Sequence, residues 1–119
     1  PNCHFVFVDN LPENSKPDFE HAIWQKVHEG MSLAINGEKG TGKKSNPGIE
    51  GLNVYGKTGT AENPHGDNHA WFVGWADYKS EKFSVVILLE NAGSGGSVAA
   101  PLANKIFSKL INSALFTAK

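Results

Sequence analysis

Ala70-Trp71-Phe72-Val73-Gly74-Trp75-Ala76 and Phe83-Ser84-Val85-Val86-Ile87-Leu88-Leu89 are two nearly continuous apolar runs of strand length. Only the short polar connection Asp77-Tyr78-Lys79-Ser80-Glu81-Lys82 separates them, which predicts an antiparallel hairpin. Their unbroken apolar character predicts strands covered on both faces. Upstream, Leu52 and Val54 alternate with Asn53 and Tyr55 and run into Gly56-Lys57-Thr58-Gly59-Thr60-Ala61, the pattern of a half-exposed strand.

Helical patterns flank these three strands. Ser15, Pro17 and Asp18 form a helix start, with serine as cap, proline in the first turn and an acid three residues after the cap. Phe19, Ile23, Val27 and Met31 follow at intervals of four, extended by Ala34 and Ile35, and predict one buried helix face ending near Asn36-Gly37. After the strands, Glu90 to Ser97 reads as a glycine-rich turn, and a second helix starts near Ser97 or Val98 with Pro101 in its first turn. Val98, Leu102, Ile106 and Leu110 form its stripe, flanked by Ala103, Phe107 and Ile111. Phe5 to Val8 reads as one further brief strand. The expected class is α+β: an antiparallel sheet of about three main strands, the Lys57–Thr60 strand at one edge, packed against a helix from the N-terminal half and a C-terminal helix.

A chain of 119 residues is one domain or part of one. Its formal charge is -1 and its 11 basic residues are all lysines, so the arginine forks suited to phosphates and base edges are absent and nucleic acid is excluded as an expected partner. The single cysteine, Cys3, can form neither an internal disulfide nor a multi-cysteine zinc site. No apolar run approaches the ~20 residues that span a bilayer.

Two motifs are decoys. Gly37, Gly42 and Lys43 match the start of a phosphate-binding loop, but Lys44 stands where a metal-binding hydroxyl is required, and the segment leaves a helix rather than a strand. It reads instead as a mobile surface loop over residues 37 to 51. His65 and His69 have metal-ligand spacing, but Pro64 and Gly66 break the helix that would bring both imidazoles to one face, so no metal and no cofactor is expected. Trp71 and Trp75, four apart in a strand, point to one face as core or interface residues.

The chemistry-bearing motif is Lys57-Thr58-Gly59-Thr60. A Lys-Thr-Gly element is one of three parts of a serine acyl-transfer site, beside a Ser-x-x-Lys nucleophile and a Ser-x-Asn or Ser-Asp-Asn element. No lysine in this sequence has serine three places before it, the nearest approach being Thr41 before Lys44, and no Ser-x-Asn triplet occurs. Three further features stand at defined distances from the Lys-Thr-Gly-Thr run: Gly40-Thr41-Gly42 before it, His69-Ala70-Trp71-Phe72-Val73-Gly74-Trp75-Ala76 after it, then Glu90-Asn91 with its glycine-rich turn and Ala99-Ala100-Pro101.

In this order and spacing the sequence resembles the C-terminal part of the transpeptidase domain of class B penicillin-binding proteins, particularly the cell-elongation type. The resemblance implies that residues 1–119 are the C-terminal portion of such a domain, with the Ser-x-x-Lys and Ser-x-Asn elements upstream of Pro1. It implies a D,D-transpeptidase that cross-links peptidoglycan through D-Ala-D-Ala stem peptides and is acylated by β-lactams. It also implies an extracytoplasmic location with an N-terminal membrane anchor, and a glycosyltransferase partner. Lys57 would supply positive charge for the substrate carboxylate and the proton network, Thr58 and Thr60 hydroxyls would donate to that carboxylate, the Thr60 N–H would be an oxyanion-hole donor, and Gly59 would let the substrate approach. A class D β-lactamase or β-lactam-sensing domain shares several of these motifs, and a non-catalytic interaction module is the reading in which the missing nucleophile is decisive. Strict alternation puts Lys57 and Gly59 on one face and Thr58 and Thr60 on the other, so some of these groups must act along the strand edge.

Overall fold

The computed structural model describes residues 19–113, and the brief strand expected at Phe5 to Val8 and the cap expected at Ser15 lie outside them. Helix α1 (His21–Asn36) is followed by a short 3-10 turn at Lys43–Ser45, strands β1 (Asn53–Ala61), β2 (His69–Tyr78) and β3 (Glu81–Leu89), a wide π-type turn at Gly95–Ala99, and helix α2 (Ala100–Ile111). The strands form one antiparallel sheet in the order β1-β2-β3, with the Lys57–Thr60 strand at an edge as expected.

The hairpin is tighter than its polar connection suggested. Pairing extends to Tyr78↔Glu81, leaving Lys79 and Ser80 as the turn. Both have positive φ, 48° and 65°, the backbone shape whose twist matches that of two right-handed strands.

Register sets the faces. Val54 opposes Ala76, Gly56 opposes Gly74 and Thr58 opposes Phe72, while Ala70, Phe72, Gly74 and Ala76 oppose Leu89, Ile87, Val85 and Phe83. This face meets α2, and its centre is the edge-on contact between Phe72 and Phe107, with ring centroids 6.4 Å apart. The Phe72 ring lies over the Gly56–Gly74 pair: a Cβ on Gly56 would come within 2.7 Å of it, and one on Gly74 within 2.9 Å. Two glycines thus form the floor on which the largest core side chain rests.

On α2 the buried residues are Ala100, Ala103, Phe107 and Ile111, while Val98, Leu102, Ile106 and Leu110 are half-buried. The buried line is therefore the one expected as flanking. The reason is steric, since alanines at 99, 100 and 103 let the helix axis approach the sheet closely enough for Phe107 to reach Phe72.

Three other expectations are corrected. The strands are fully covered on one face only among the described residues: on the opposite face α1 reaches Tyr55 and Trp75 through His28, while Trp71, Val73 and Val86 remain exposed, Val86 at 64%. Helix α1 starts at His21, after an extended Glu20 whose carbonyl accepts the Ile23 and Trp24 N–H groups. Phe19 precedes the helix, and Phe19, Ile23, Trp24 and Val27 are exposed while Ile35 is buried. The helix meets the sheet along β1 through its last turns and through His28, whose ring lies 5.0 Å from that of Trp75. Finally, the loop after α1 is pinned rather than loose. Gly42 N–H donates to the Ala34 carbonyl, the fully buried Ser45 hydroxyl donates to the Gly42 carbonyl at 2.7 Å, and Asn104 Nδ2 reaches from α2 to the Lys44 carbonyl.

Gly74→Ala is expected to lower stability by about 1–3 kcal/mol, because its Cβ would also sit 2.3 Å from the Tyr55 carbonyl oxygen, a backbone atom that cannot yield. Gly30→Ala, in the middle of α1 with nothing within 4 Å of the new methyl, should instead stabilise by up to about 1 kcal/mol. Denaturant unfolding of both variants reads the contrast, and equal effects would contradict this packing.

Candidate active site

The outer edge of β1 is the chemically distinctive surface. Along an antiparallel ladder, residues of an edge strand alternate between bonding the neighbour and pointing their N–H and C=O groups outward. Asn36 Nδ2, on α1 and outside the sheet, donates to the Val54 carbonyl at 3.3 Å, which fixes the phase. Val54, Gly56, Thr58 and Thr60 therefore present their backbone polar groups at the edge, while Tyr55, Lys57, Gly59 and Ala61 bond β2.

The side-chain faces are split as alternation requires. Thr58 and Thr60 stand on the face shared with Phe72, and Lys57 stands on the opposite face, exposed. The edge reunites them. Lys57 Nζ turns back across it and donates to the Thr58 carbonyl at 2.9 Å. One cation, one outward carbonyl and the outward N–H of Thr60 thus lie along a single strand edge.

Two loops brace the threonines. Thr41, on the segment after α1, pairs its hydroxyl with that of Thr58 at 2.8 Å. Two hydroxyls hold two protons and their mutual bond uses one, so the pair keeps one O–H to give to a ligand. Thr60 Oγ1 accepts the Gly95 N–H at 3.1 Å from the turn before α2, which leaves its own O–H free to donate. Gly95 is buried, and a Cβ there would come within 2.4 Å of the Gly59 carbonyl oxygen and 2.5 Å of that of Trp71. Gly96 is equally close-fitting, its Cβ position lying 2.9 Å from the Thr41 carbonyl oxygen. Thr41 and Gly95 are the residues that motif reading did not place in the site. They lie 17 and 35 residues from the threonines they hold, and only the fold brings them there.

Gly59 lies on the Lys57 face opposite Trp71, where a Cβ would come within 3.2 Å of the Trp71 Cβ. Its lack of a side chain thus first serves cross-strand packing. Beyond it Trp75 stacks on Tyr55, centroids 4.9 Å apart and planes 14° from parallel. His69 Nδ1 accepts the Asn91 N–H at 3.0 Å. Among the described residues no three His, Cys, Asp or Glu side chains converge as a metal site, and no helix is long and apolar enough to cross a membrane.

Comparison with known proteins agrees with this architecture. The family model described as "Penicillin binding protein transpeptidase domain" matches residues 5–108. The Haemophilus influenzae protein named peptidoglycan D,D-transpeptidase MrdA is 37% identical over 79% of this chain, and penicillin-binding protein 3 of Bacillus subtilis is 33% identical over 76%. The chain spans 17% and 16% of those relatives' own lengths. Among solved structures, Pseudomonas aeruginosa PBP2 in complex with WCK 5153 superposes with a TM-score of 0.64 at 30% identity, covering 79% of this chain and 20% of that one. A ceftriaxone acyl-enzyme complex of penicillin-binding protein A from M. tuberculosis gives 0.57 at 30%, covering 73% and 20%. A complex between PBP2 and MreC from Helicobacter pylori gives 0.54 at 28%, covering 71% and 17%.

Gly95→Ala should push the turn off β1 and break the Gly95–Thr60 bond. Amide hydrogen exchange at residue 95 is expected to speed up by about fivefold, on the scale of one hydrogen bond of about 1 kcal/mol. Unchanged exchange would show that the turn does not depend on this contact.

Proposed function

The chain belongs to the penicillin binding protein transpeptidase family, and from that we propose that residues 1–119 form the C-terminal portion of a serine D,D-transpeptidase domain that cross-links peptidoglycan. The observation that carries this reading is the β1 edge, where the Lys57 ammonium lies beside the outward backbone of Thr58 and Thr60.

In this reading a stem peptide ending in D-Ala-D-Ala lies along that edge, adding to the sheet as a strand would. A serine supplied by the rest of the domain attacks the carbonyl carbon of the penultimate D-alanine. Its Oγ forms an ester, the C–N bond breaks, and D-alanine leaves carrying the proton that the serine lost. An amine from a second stem then attacks the ester, forms the cross-link and returns the proton to the serine. A β-lactam enters by the same first step, but its ring amide opens and the acyl group stays attached.

Each residue at the edge has a task in that sequence. The Thr60 N–H points where the carbonyl oxygen gains negative charge, and losing one such donor costs about 3–4 kcal/mol of transition-state stabilisation. The free O–H protons of the Thr41–Thr58 pair and of Thr60 are available to the terminal carboxylate. Lys57 adds the charge that this carboxylate requires and supports proton movement at the serine. Gly59 keeps the strand surface low beside the peptide. The acyl-enzyme form of the M. tuberculosis relative supports β-lactams as ligands here, and the MreC complex of the H. pylori relative supports a partner of that kind; a glycosyltransferase partner belongs to the same proposal. The site then works on the extracytoplasmic side of the membrane, in a protein tethered by an N-terminal helix.

Two measurements test this. In a protein joining this segment to the remainder of its domain, Lys57→Ala should lower the rate of acylation by a fluorescent penicillin at least about a hundredfold, on the scale of removing a preorganised charged donor, with the unfolding transition unchanged. Equal rates would remove Lys57 from the site. The 119 residues alone, which hold no Ser-x-x-Lys element, should show no covalent adduct, and a stoichiometric one would contradict the assignment of the nucleophile to another segment.

A further inference from the structure

The turn that braces Thr60 is itself held by a histidine. Pairing between β2 and β3 ends at Ala70↔Leu89. Beyond that rung a side chain takes over, and the Asn91 N–H donates to His69 Nδ1 at 3.0 Å. Asn91 has φ 52°, a left-handed shape that asparagine tolerates better than most non-glycine residues and that its surroundings hold here. Those surroundings are specific. The Asn68 carbonyl accepts both the Ala92 and Gly93 N–H groups at 3.0 Å, and Asn91 Oδ1 accepts from Asn63 Nδ2 on the loop between β1 and β2. Asn63 Oδ1 in turn accepts the His65 N–H, which closes that loop on itself. Gly93 follows with φ 106°, then Ser94, and then Gly95, whose N–H reaches Thr60 Oγ1.

We propose that His69 is a positioning residue: its neutral imidazole accepts the Asn91 N–H and so holds the Asn91–Gly95 turn against Thr60, and its protonation releases that hold. This rests on the role given to Thr60 above. A neutral imidazole with its proton on Nε2 has Nδ1 as an acceptor, whereas an imidazolium has donors at both nitrogens. Placed against an N–H, the charged form loses the bond and faces a like-signed dipole. Asn91 then has no partner for its amide, and the left-handed turn loses one of the contacts that fix it. The turn is continuous with Gly95, so the effect arrives at Thr60 as a weaker Gly95–Thr60 bond and a less firmly placed end of β1.

The other titratable groups on the segments around His69 are Glu62, His65 and Asp67 on the β1–β2 loop and Glu90 at the end of β3. Ala61, which pairs with His69 across the ladder, is uncharged, and the nearest charge further along β1 is Lys57. His65 is the only other histidine in this set, so it is the necessary control.

The test has two arms. In the 119-residue chain, nuclear magnetic resonance follows the His69 ring nitrogens and the Asn91 and Gly95 amides as pH is lowered. The proposal expects both amides to shift in step with His69 protonation, to do so equally in His65→Asn, and to hold still in His69→Asn, whose amide oxygen replaces the acceptor without titrating. Amides that ignore His69, or that still shift in His69→Asn, would overturn it. In the second arm, a protein carrying the whole domain is acylated by a fluorescent penicillin across the same pH range. His69→Asn should keep the neutral-pH rate within about threefold and lose the fall in acid that tracks His69, whereas His69→Ala should be about tenfold slower than the unaltered protein at neutral pH, converge with it in acid, and show no fall of its own that tracks residue 69. An acid fall that persists in His69→Asn would contradict the positioning role. Should His69→Ala unfold, the titration of the unaltered chain decides alone. Should the unaltered whole-domain protein take no penicillin, the transpeptidase reading fails, while the amide titration still decides whether His69 holds the turn.

Discussion

The register of β1 against β2 is the constraint on which the rest of this structure depends. Gly56 opposes Gly74, and both glycines lie under the Phe72 ring where no larger residue fits without displacing it or the backbone beside it. A slip of one residue would turn every β1 side chain to the other face. It would also exchange the inward and outward backbone groups, so that Thr60 would bond β2 and Lys57 would point its amide outward. Packing at one end of the strand thus decides which N–H groups are available at the other. The Phe72–Phe107 contact and the close-set alanines of α2 fasten that register from the core side.

From that register the site follows as an edge rather than a face. Lys57 and the two threonines cannot share one side of a strand, and they meet because the lysine side chain folds back across the edge to the Thr58 carbonyl. Threonines facing a core would be poor ligands if their hydroxyls were consumed there. Here Thr58 is met by another hydroxyl and Thr60 by a backbone donor, so each contact orients a hydroxyl while leaving a proton to give. The loop after α1 and the turn before α2 supply these contacts, which explains why two glycine-rich segments without regular structure are packed so closely.

Much of this was legible in the sequence, and the parts that were not have a common cause. Alternation and apolar run length gave the three strands, their antiparallel order and the edge position of Lys57–Thr60, because these depend on local patterning. The four-residue periodicities located both helices, but the buried line of α2 fell one residue away from the bulkiest stripe, since Ala100 and Ala103 bury better where backbones must approach. Phe19, Ile23 and Val27 look like a core stripe yet stay exposed. Hydrophobic pattern records what a surface is suited to meet, and no described element lies over that part of α1. Trp71, Val73 and Val86 have the same explanation on the sheet. The bonds Thr41–Thr58, Gly95–Thr60 and His69–Asn91 join residues 17, 35 and 22 positions apart, and no spacing rule reaches across such distances.

We propose that the outward backbone of β1 binds the acyl group carried by the serine, with the Thr60 N–H at its carbonyl oxygen. The most direct measurement is a crystal structure of the whole domain acylated by a β-lactam. The acyl carbonyl oxygen is expected at about 3 Å from the Thr60 nitrogen, with the ligand carboxylate on the hydroxyls of Thr58 and Thr60. An acyl carbonyl turned away from β1, with Thr60 N–H bonded only to solvent, would contradict it.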